Sequence, residues 1–370
     1  MLQPRKNKVG VFLIFMLIFL FYVYKYGEYV SKQLNTNCRG PFVFQNSGRS
    51  PIIILAWTKF FGRSGFPDEN YAYYRCSSDC VVSSSRCYTN DADALVFHWR
   101  DLSIFDLPKK QEDQTWVLYN QESPEHLSFF RTQYLRAIND YIDWTLTYRQ
   151  DSDIVAPYGY FIERNNSSVS DNVTNNYESS YRTKKKSISW FVSNCRTPSH
   201  REAFVEQLQK YIDVDIFGEC GQNVCPRSQT HKCDKLIEQD YFFYLSFENS
   251  LCKDYVTEKL FRIMKHNIVP ITFGGADYAK LLPASSYIDA LNFSSVEQLA
   301  NFLKQVSSNR DQYKSYLTWK QNYLVKTDDI QICLLCDKLR HKRNNDQNIV
   351  ASNKRNLINW WFDANCTYWE

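Results

Sequence analysis

One segment, residues 241–275, limits the folds open to this chain more than any other. It opens with a continuous apolar and aromatic run, YFFYLSF, which has the length and composition of a buried strand. After a short polar turn, apolar residues recur at helical spacing, and we expect Asp254 to be the N-cap of this helix. A second apolar run ends at Gly274 and Gly275. The order strand, helix, strand predicts a parallel sheet, because a helical crossover joins parallel strands.

The polar residues of this segment lie where the first strand ends and the helix begins, and they are Asn249, Tyr255, Glu258 and Lys259. Open parallel sheets bind ligands at this edge, and the N-terminus of a helix favours anions. Lys259 would meet a phosphate as a point charge, and Glu258 would accept hydrogen bonds from sugar hydroxyls. An adjacent Glu–Lys pair is more often an ordinary solvated helix face. The crowding of polar groups at the junction is what favours a ligand site.

The amino terminus predicts the cellular compartment. Residues 9–24 form an unbroken apolar and aromatic run that follows several basic residues. This pattern predicts a transmembrane signal anchor over residues 9–26, with residues 1–8 in the cytosol and the remainder in a lumen. The alternative is a cleaved signal peptide, but no small-residue cleavage site follows the run. We therefore expect a single-pass type II membrane protein.

Cysteines and sequons agree with a luminal chain. The sequence has 12 cysteines, which fit an oxidising lumen better than a cytosol. Its candidate N-glycosylation sites are Asn165, Asn166, Asn172, Asn292 and Asn365. The net charge of +4 over 370 residues is too small to argue for a nucleic-acid partner.

Short apolar runs separated by helix-length connections predict two α/β domains. Both domains are expected to be Rossmann-like and to face a cleft, preceded by one transmembrane helix and a stem. The predicted segments are a stem at 27–50, a first, acceptor-side domain at 51–162, a polar linker or exposed insert at 163–186, a second domain at 187–340 and a tail at 341–370. Within the second domain, residues 296–306 and 311–325 are predicted to be helices.

Two further polar segments follow predicted strands. SNCRTPSHR leads into a helix bearing Arg201, and arginine at such a place suits bidentate phosphate recognition. YNQESPEH puts Glu122 just past a strand of the first domain, where a carboxylate could serve as a general base. Acids before proline are also common in plain turns, and the neighbouring Glu125 is easily confused with Glu122. Position alone does not decide between these interpretations.

Two short motifs have the spacing of metal sites, but each also has an ordinary explanation. Asp151 with Asp153, and Asp91 with Asp93, have the D-x-D spacing of some metal sites, a spacing that arises often by chance. The pair Cys333 and Cys336 has the spacing of a zinc half-site, but the sequence has no second C-x-x-C and no suitably spaced histidine pair to complete such a site. Disulfides are the more natural use of cysteines in a lumen.

Several motifs together resemble the α1,3-fucosyltransferases. The most specific is FENSLCKDYVTEKL followed by VPITFGG, and it is accompanied in order by ILAWTKFFG, ADALVFHWRD, YNQESPEH, LTYRQDSDIVAPYGY, VSNCR with HREAFVEQL, and VDIFGECG. The match covers roughly residues 52–336. The resemblance implies a two-domain fold of the GT-B type, a type II protein of the Golgi membrane with a luminal catalytic domain, GDP-fucose as the donor and a glycan as the acceptor.

The resemblance also implies roles for individual residues. It assigns Glu122 as the catalytic base and Arg201 as the arginine that meets the diphosphate, and its other GDP-fucose-binding positions are Asn249, Tyr255, Glu258 and Lys259. The acceptor is read partly by His98, Trp99 and Arg100. The implied reaction inverts the anomeric carbon and forms an α1,3 linkage to a GlcNAc-type residue of a glycoprotein or glycolipid glycan. No metal is expected to be obligatory, and a divalent cation would at most stimulate.

The family's C-terminal C-x-x-C is tied by disulfides to the first domain. This implies Cys76 and Cys80 as the best partners of Cys333 and Cys336, with Cys87 as the competitor. The pairing itself does not follow from the sequence. Two functional alternatives also stay open: a transferase for another sugar nucleotide, and a membrane-anchored luminal glycan-binding protein without transferase activity. The acceptor is open between N-acetyllactosamine-type glycans and the N-glycan core.

Overall fold

The structure, a computed structural model, describes residues 25, 51–62, 80–126, 129–164, 180–328, 330–344, 355–363 and 366–370. Within these ranges no helix has the length and apolar character needed to cross a membrane. The predicted anchor and stem, most of the predicted insert, Cys76 and four of the sequon asparagines (Asn165, Asn166, Asn172 and Asn365) fall on residues that are not described.

The first half of the chain forms a six-stranded parallel sheet. Its strands lie in the spatial order β2-β1-β3-β4-β5-β6, and they are β1 (Ile52–Ala56), β2 (Cys80–Ser83), β3 (Ala94–His98), β4 (Thr115–Asn120), β5 (Trp144–Thr147) and β6 (Ile154–Val155). Alternate residues of β1 face opposite sides of the sheet: Ile52 and Ile54 pack into one core, and Leu55 packs into another. Burial on both faces explains why these strands read as continuous apolar runs.

The second half forms a five-stranded sheet that is also parallel. Its order is β12-β11-β10-β8-β9, and its strands are β8 (Lys186–Phe191), β9 (Val214–Phe217), β10 (Tyr241–Phe247), β11 (Val269–Phe273) and β12 (Ile288–Asp289). The predicted α/β class with parallel sheets is thus confirmed. The segment at 241–275 lies at the centre of this sheet, as β10 and β11 with the crossover between them.

Helices cover the faces of both sheets. They are α1 (Phe129–Ile138), α2 (Arg201–Leu208), α3 (Thr230–Asp240), α4 (Glu258–Ile263), α5 (Tyr278–Leu281), α6 (Val296–Ser308), α7 (Arg310–Ser315), α8 (Gln331–Arg343) and α9 (Leu357–Phe362). Short 3₁₀ helices occur at Arg86–Tyr88, Trp99–Asp101, Ile104–Asp106, Pro124–His126, Asn139–Tyr141, Arg227–Gln229, Ala290–Asn292 and Thr318–Gln321. On the second sheet, α2 and α6 pack over the same apolar face.

The prediction of one helix over residues 311–325 is wrong. Helix α7 ends at Ser315, and the chain then forms strand β13 (Tyr323–Lys326), which pairs antiparallel with β7 (Tyr160–Glu163). Val325 pairs with Phe161, a residue far away in the chain. Pairing with such a distant strand overrides the local helical pattern, so local periodicity could not reveal it.

The C-terminal segment is part of both domains rather than a tail. Helix α8 buries Leu335 and Cys336 against the first sheet, although the predicted second domain extends to residue 340. Helix α9 buries Trp361 in the opposite core of that same sheet. Beyond it, Trp369 packs on Phe204 of the second domain. The apolar residues of this segment complete cores that the earlier chain leaves open.

Disulfides connect distant parts of the chain. Cys80 is bonded to Cys336, 256 residues away, which confirms the expected link between the first domain and the C-x-x-C pair. Cys87 and Cys333 each take part in a disulfide as well, but not with one another. The remaining described bonds are Cys195–Cys220, Cys225–Cys233 and Cys252–Cys366. A bond that closes a long loop restricts the unfolded chain most, so Cys80–Cys336 is expected to stabilise more than Cys225–Cys233.

Replacing Cys80 and Cys336 by serine is expected to lower the free energy of unfolding by about 2–5 kcal/mol, because the removed bond closes a 256-residue loop. The matched control is the double serine variant of Cys225 and Cys233, whose bond spans 8 residues and contributes less. Denaturant unfolding of the non-reduced proteins measures both. An equal or larger loss in the control would contradict the loop-length argument.

Candidate functional site

A cavity of about 340 Å³ opens at the carboxyl edge of the second sheet. It lies where β8, β9 and β10 end and where α4 begins, the edge at which open parallel sheets hold ligands. Four of the five predicted donor-binding residues line it: Arg201, Asn249, Glu258 and Lys259. The structure therefore brings together residues from two strand–helix units that are about 50 positions apart in the sequence.

Arg201, the first residue of α2, is buried with only 3% of its surface exposed. Its Nη1 donates to the carbonyl oxygen of Phe247 at 2.7 Å, and its Nη2 donates to that of Asn194 at 3.1 Å. Its Nε donates to Glu202 at 3.1 Å. These bonds fix the plane of the guanidinium and engage three of its five N–H groups. A fixed guanidinium at the wall of a cavity suits a phosphate or carboxylate.

Asn249 is the second residue after the end of β10 and has a fully buried amide oxygen, Oδ1, for which the described residues provide no hydrogen-bond partner. Buried polar atoms are nearly always paired, so such an atom at the wall of a cavity points to a donor supplied by a ligand. A hydroxyl group of a sugar or an N–H of a base would fill that role. This atom is the clearest sign in the structure that the cavity binds a polar molecule.

Lys259 is held at the cavity by a buried carboxylate that the sequence did not single out. Its Nζ lies 3.2 Å from Glu248 Oε2 and 2.8 Å from the hydroxyl oxygen of Thr257. Glu248, only 1% exposed, also accepts the backbone N–H of Thr257 at 2.8 Å. The side chain of Glu248 thus orients both the cation and the first turn of α4. In the sequence, only the position of Glu248 beside Asn249 could have indicated this role. Acidic residues are common in polar turns, so that position did not distinguish Glu248.

Asp254 is not the N-cap of α4, contrary to the prediction. Thr257 takes that position, and the helix begins at Glu258. Asp254 has a left-handed backbone with φ of 61°, and its carboxylate accepts the N–H of Gln150 at 3.1 Å. The helix begins late because the loop before it is drawn into the core of the first domain, where Tyr255 is buried.

The pKa values of two ionisable groups at the cavity, Lys259 and Glu248, are shifted in opposite directions by burial and by neighbouring charges. Burial lowers the pKa of Lys259, but the carboxylates of Glu248 and Glu258 raise it by more, so the pKa is raised overall. Burial raises the pKa of Glu248, and nearby Lys259 offsets part of this effect. The ammonium group is therefore charged at neutral pH and supplies a cation beside the exposed side chain of Glu258.

Tyr255, the fifth predicted donor residue, does not line the cavity. Its ring is 2% exposed and packs on Tyr148 of the first domain, with ring centroids 5.0 Å apart. Burial, followed by the charge of Glu122, raises the pKa of Tyr255 well above its usual range. Tyr255 therefore lies in the contact between the domains.

Glu122 is half-buried and follows β4 at the carboxyl edge of the first sheet. The side chain of Asn120, which is fully buried, donates to the backbone carbonyl of Glu122 at 2.9 Å. The next residue, Ser123, makes a hydrogen bond of 2.7 Å to Ser250, beside Asn249. The predicted base thus lies next to the polypeptide segment that lines the cavity, although it is not itself a lining residue.

Of the predicted acceptor-region residues, His98 ends β3, the neighbour of β4, and Trp99 and Arg100 follow that strand. His98 and Trp99 are buried, whereas Arg100 is exposed and its guanidinium lies 4.8 Å from the centre of the Phe61 ring. Of the three, Arg100 is the side chain available to a ligand. Phe61 is 40% exposed, and sequence reasoning did not identify it.

The D-x-D pairs make ordinary structural contacts. Asp151 pairs with Arg149 at 2.8 Å, and Asp153 accepts the N–H and hydroxyl of Thr145. Asp93 accepts the N–H of Ile53 at 2.7 Å. In the described ranges no group of three or more His, Cys, Asp or Glu residues is arranged to hold a metal ion. The metal independence of the activity stays a prediction.

Charged side chains connect α4 and the residues just after it to the neighbouring helix α3. Arg262, another lining residue, lies 3.7 Å from Asp234 of α3 and donates to the hydroxyl of Tyr244 at 3.2 Å. His266, just after the helix, has its Nδ1 3.0 Å from Glu238. These contacts tie the helix that carries Glu258 and Lys259 to α3.

Two parallel sheets, with a cavity at a carboxyl edge that presents arginine, lysine and a buried unpartnered amide oxygen, define an α/β protein with a site for a polar, anionic ligand. The chain also matches two family models. Residues 49–159 match the N-terminal fucosyltransferase domain, and residues 181–357 match the C-terminal domain of glycosyltransferase family 10 (fucosyltransferase). The chain therefore belongs to glycosyltransferase family 10, and it is a fucosyltransferase.

Relatives and a solved structure agree with this family. The chain is 34% identical over 352 residues to alpha-(1,3)-fucosyltransferase C of Drosophila melanogaster, covering 85% of this chain and 79% of the relative. It is 31% identical over 325 residues to the human 4-galactosyl-N-acetylglucosaminide 3-alpha-L-fucosyltransferase 9, covering 84% and 82%. A crystal structure of an alpha1,3-fucosyltransferase with GDP-fucose has a similar fold, with a TM-score of 0.52, 17% identity and coverage of 84% and 96%.

The bracing of α4 predicts a pH dependence of stability. Burial lowers the pKa of His266, but the carboxylates of Asp234 and Glu238 raise it, to about 8. Protonated His266 therefore stabilises the fold fully below its unfolded pKa of about 6.5, and this contribution is lost as the pH rises through 8. The 1.5-unit difference corresponds to about 2 kcal/mol.

The measurement is the difference in unfolding free energy between the parent protein and His266→Gln, at pH 6 and pH 9. Burial lowers the pKa values of Lys184 and Lys320 to about 7, and taking the difference between two proteins that both carry these lysines cancels most of their titration. We expect it to shrink by about 2 kcal/mol at the higher pH. A difference independent of pH would show that the ion pairs of His266 do not stabilise the helix.

Proposed function

We propose that the protein is an inverting α1,3-fucosyltransferase that transfers L-fucose from GDP-β-L-fucose to a GlcNAc-type residue of a glycan. One observation carries the proposal: the cavity at the carboxyl edge of the second sheet presents Arg201, Lys259 and the unpartnered Asn249 oxygen, and the segment of Glu122 is hydrogen-bonded to its edge. Names of relatives support the linkage, since the similar fly and human proteins are named as α1,3-fucosyltransferases.

The donor would bind with its diphosphate at the cationic wall of the cavity. Arg201 offers a fixed guanidinium, and Lys259 offers an ammonium held by Glu248. Both charges are in place before the reaction, so they would stabilise the negative charge that grows on the departing GDP without reorganisation. Glu258, exposed at the rim, would accept hydrogen bonds from sugar hydroxyls, and Asn249 Oδ1 would accept another.

Glu122 would act on the acceptor from the first domain. Its carboxylate would take the proton of the acceptor hydroxyl as that oxygen attacks the anomeric carbon of fucose. The C1–O bond to GDP breaks on the opposite side, so the configuration inverts from β to α. Each domain would then have its own role. The second domain would hold the donor, and the first would supply the base and the acceptor surface, in an arrangement of the GT-B type. Tyr255 would stabilise the contact between them.

Cationic side chains supply the charge that a metal would otherwise provide, so we propose that no divalent cation is obligatory. The acceptor would lie near Arg100, the exposed residue of the His98–Trp99–Arg100 segment. The basic and apolar sequence at 1–26 supports an anchor in the Golgi membrane with a luminal catalytic region. Asn292, which is exposed, is a candidate for glycosylation there.

The decisive test is incubation with GDP-fucose and a panel of N-acetyllactosamine, LacdiNAc and N-glycan core acceptors, with GDP release and fucosylated product both measured. GDP-mannose serves as the donor control. The proposal requires fucosylated product with one class of acceptor. Glycan binding without GDP release would instead indicate a binding protein, and turnover with GDP-mannose alone would indicate another sugar donor.

Lys259→Ala is expected to raise the Kd for GDP-fucose by about 10- to 100-fold, because a charged hydrogen bond to the diphosphate is lost. Titration calorimetry of the purified protein measures the Kd. Lys253→Ala is the matched control, since Lys253 lies on the loop that leads into α4, has a side chain that is 50% exposed and does not line the cavity. If Lys259→Ala bound the donor as tightly as Lys253→Ala, Lys259 would not contact the donor.

Glu122→Gln is expected to lower kcat by about 10²- to 10⁴-fold and to leave the Kd for GDP-fucose unchanged, because the amide cannot take a proton. Glu125→Gln, the same change at an exposed neighbour three residues along, should retain activity. Steady-state rates and donor titrations separate the two effects. Full turnover by Glu122→Gln would remove this residue from the role of base.

A further inference from the structure

Two serine hydroxyls meet between the domains, beside the proposed reaction centre. Ser123 Oγ and Ser250 Oγ are 2.7 Å apart, although 127 residues separate them in the chain. Both serines are 0% exposed. Ser123 directly follows Glu122, and Ser250 directly follows Asn249. The hydrogen bond therefore joins the segment of the proposed base to the wall of the donor cavity.

The chain is fixed on both sides of this bond. On the donor side, Glu248 donates its backbone N–H to Phe273 at 2.9 Å, and Ser199 Oγ donates to the carbonyl of Glu248 at 2.8 Å. On the other side, the buried side chain of Asn120 donates to the carbonyl of Glu122 at 2.9 Å. Each serine is therefore held firmly within its own domain, and the Ser123–Ser250 hydrogen bond directly links the segment of Glu122 to the wall of the cavity.

Other contacts hold the domains together independently of this bond. Gln150 donates to Asp254 at 3.1 Å, and the rings of Tyr148 and Tyr255 pack with centroids 5.0 Å apart. Removal of one hydroxyl therefore leaves these contacts in place. The substitution removes only the direct hydrogen bond between the segment of Glu122 and the wall of the donor cavity.

We propose that the Ser123–Ser250 hydrogen bond is a positioning contact, which holds the carboxylate of Glu122 in line with the sugar of the bound donor. The inference rests on the proposed function, since it needs Glu122 to act as the base. A displaced base reduces the rate of transfer through poorer geometry, and it leaves the binding of GDP-fucose to the second domain intact. Such an effect falls on kcat rather than on donor affinity.

The test compares Ser123→Ala, Ser250→Ala and the double variant in the full-length enzyme. Each single variant is expected to lower kcat by about 10- to 100-fold, with the Kd for GDP-fucose unchanged within about twofold. The double variant should be no slower than the worse single variant, because both remove the same hydrogen bond. The control is Ser286→Ala, another serine that is 0% exposed, whose hydroxyl has no partner within the described part of the chain.

The control separates positioning from a general loss of structure. Positioning predicts that the single variants stay folded at the assay temperature, with only a modest fall in melting temperature from the hydroxyl left unpaired, and that the loss of activity is confined to kcat. Unchanged kcat in both single variants overturns the inference, as does a parallel rise in donor Kd or a double variant whose losses simply add. Glu122→Gln, measured alongside, identifies which claim has failed. If it is inactive while Ser123→Ala is fully active, only the positioning role is refuted; if it is fully active, the proposed function fails.

Discussion

The burial of one loop of the second domain in the core of the first is the interaction on which the rest of the structure depends. The loop between β10 and α4 places Cys252 and Tyr255 among the apolar residues beneath the first sheet. Its two ends carry Asn249 and Glu258, which line the donor cavity. Because one short segment serves both purposes, the cavity cannot keep its shape unless the two domains are correctly packed. The geometry of the site therefore depends directly on how the two domains pack together.

Inside the cavity, a buried carboxylate organises the cations. Glu248 is expensive to bury as an ion, and the hydrogen bonds from Thr257 and the ammonium group of Lys259 offset that penalty. The carboxylate in turn keeps Lys259 charged and directed. Arg201 is fixed in a comparable way by two carbonyl oxygens. Both cations are thus oriented by the protein before any ligand arrives, which is the condition for effective stabilisation of developing charge.

Much of the fold could be predicted from the sequence, because strands buried on both faces must be apolar throughout. The predicted strand YFFYLSF coincides with β10, and the helix predicted over 296–306 lies within α6. The helix predicted at 311–325 failed because β13 depends on β7, which no local pattern encodes. Glu248 was missed for a related reason: its partners are assembled only when β10 and α4 meet. The same applies to Ser123, whose bond to Ser250 bridges the two domains.

The late position of the residues that close the first core has a consequence for biosynthesis. The sheet of the first domain is encoded by residues 52–155, yet the cover of its two faces is completed by α8 and α9, which end at Arg343 and Phe362. An N-terminal domain usually folds while the remainder of the chain is still being made. Here α1 covers part of one face early, but part of each apolar face stays uncovered until almost the whole polypeptide has left the ribosome. The second domain, whose strands and covering helices are contiguous, is the one able to fold first.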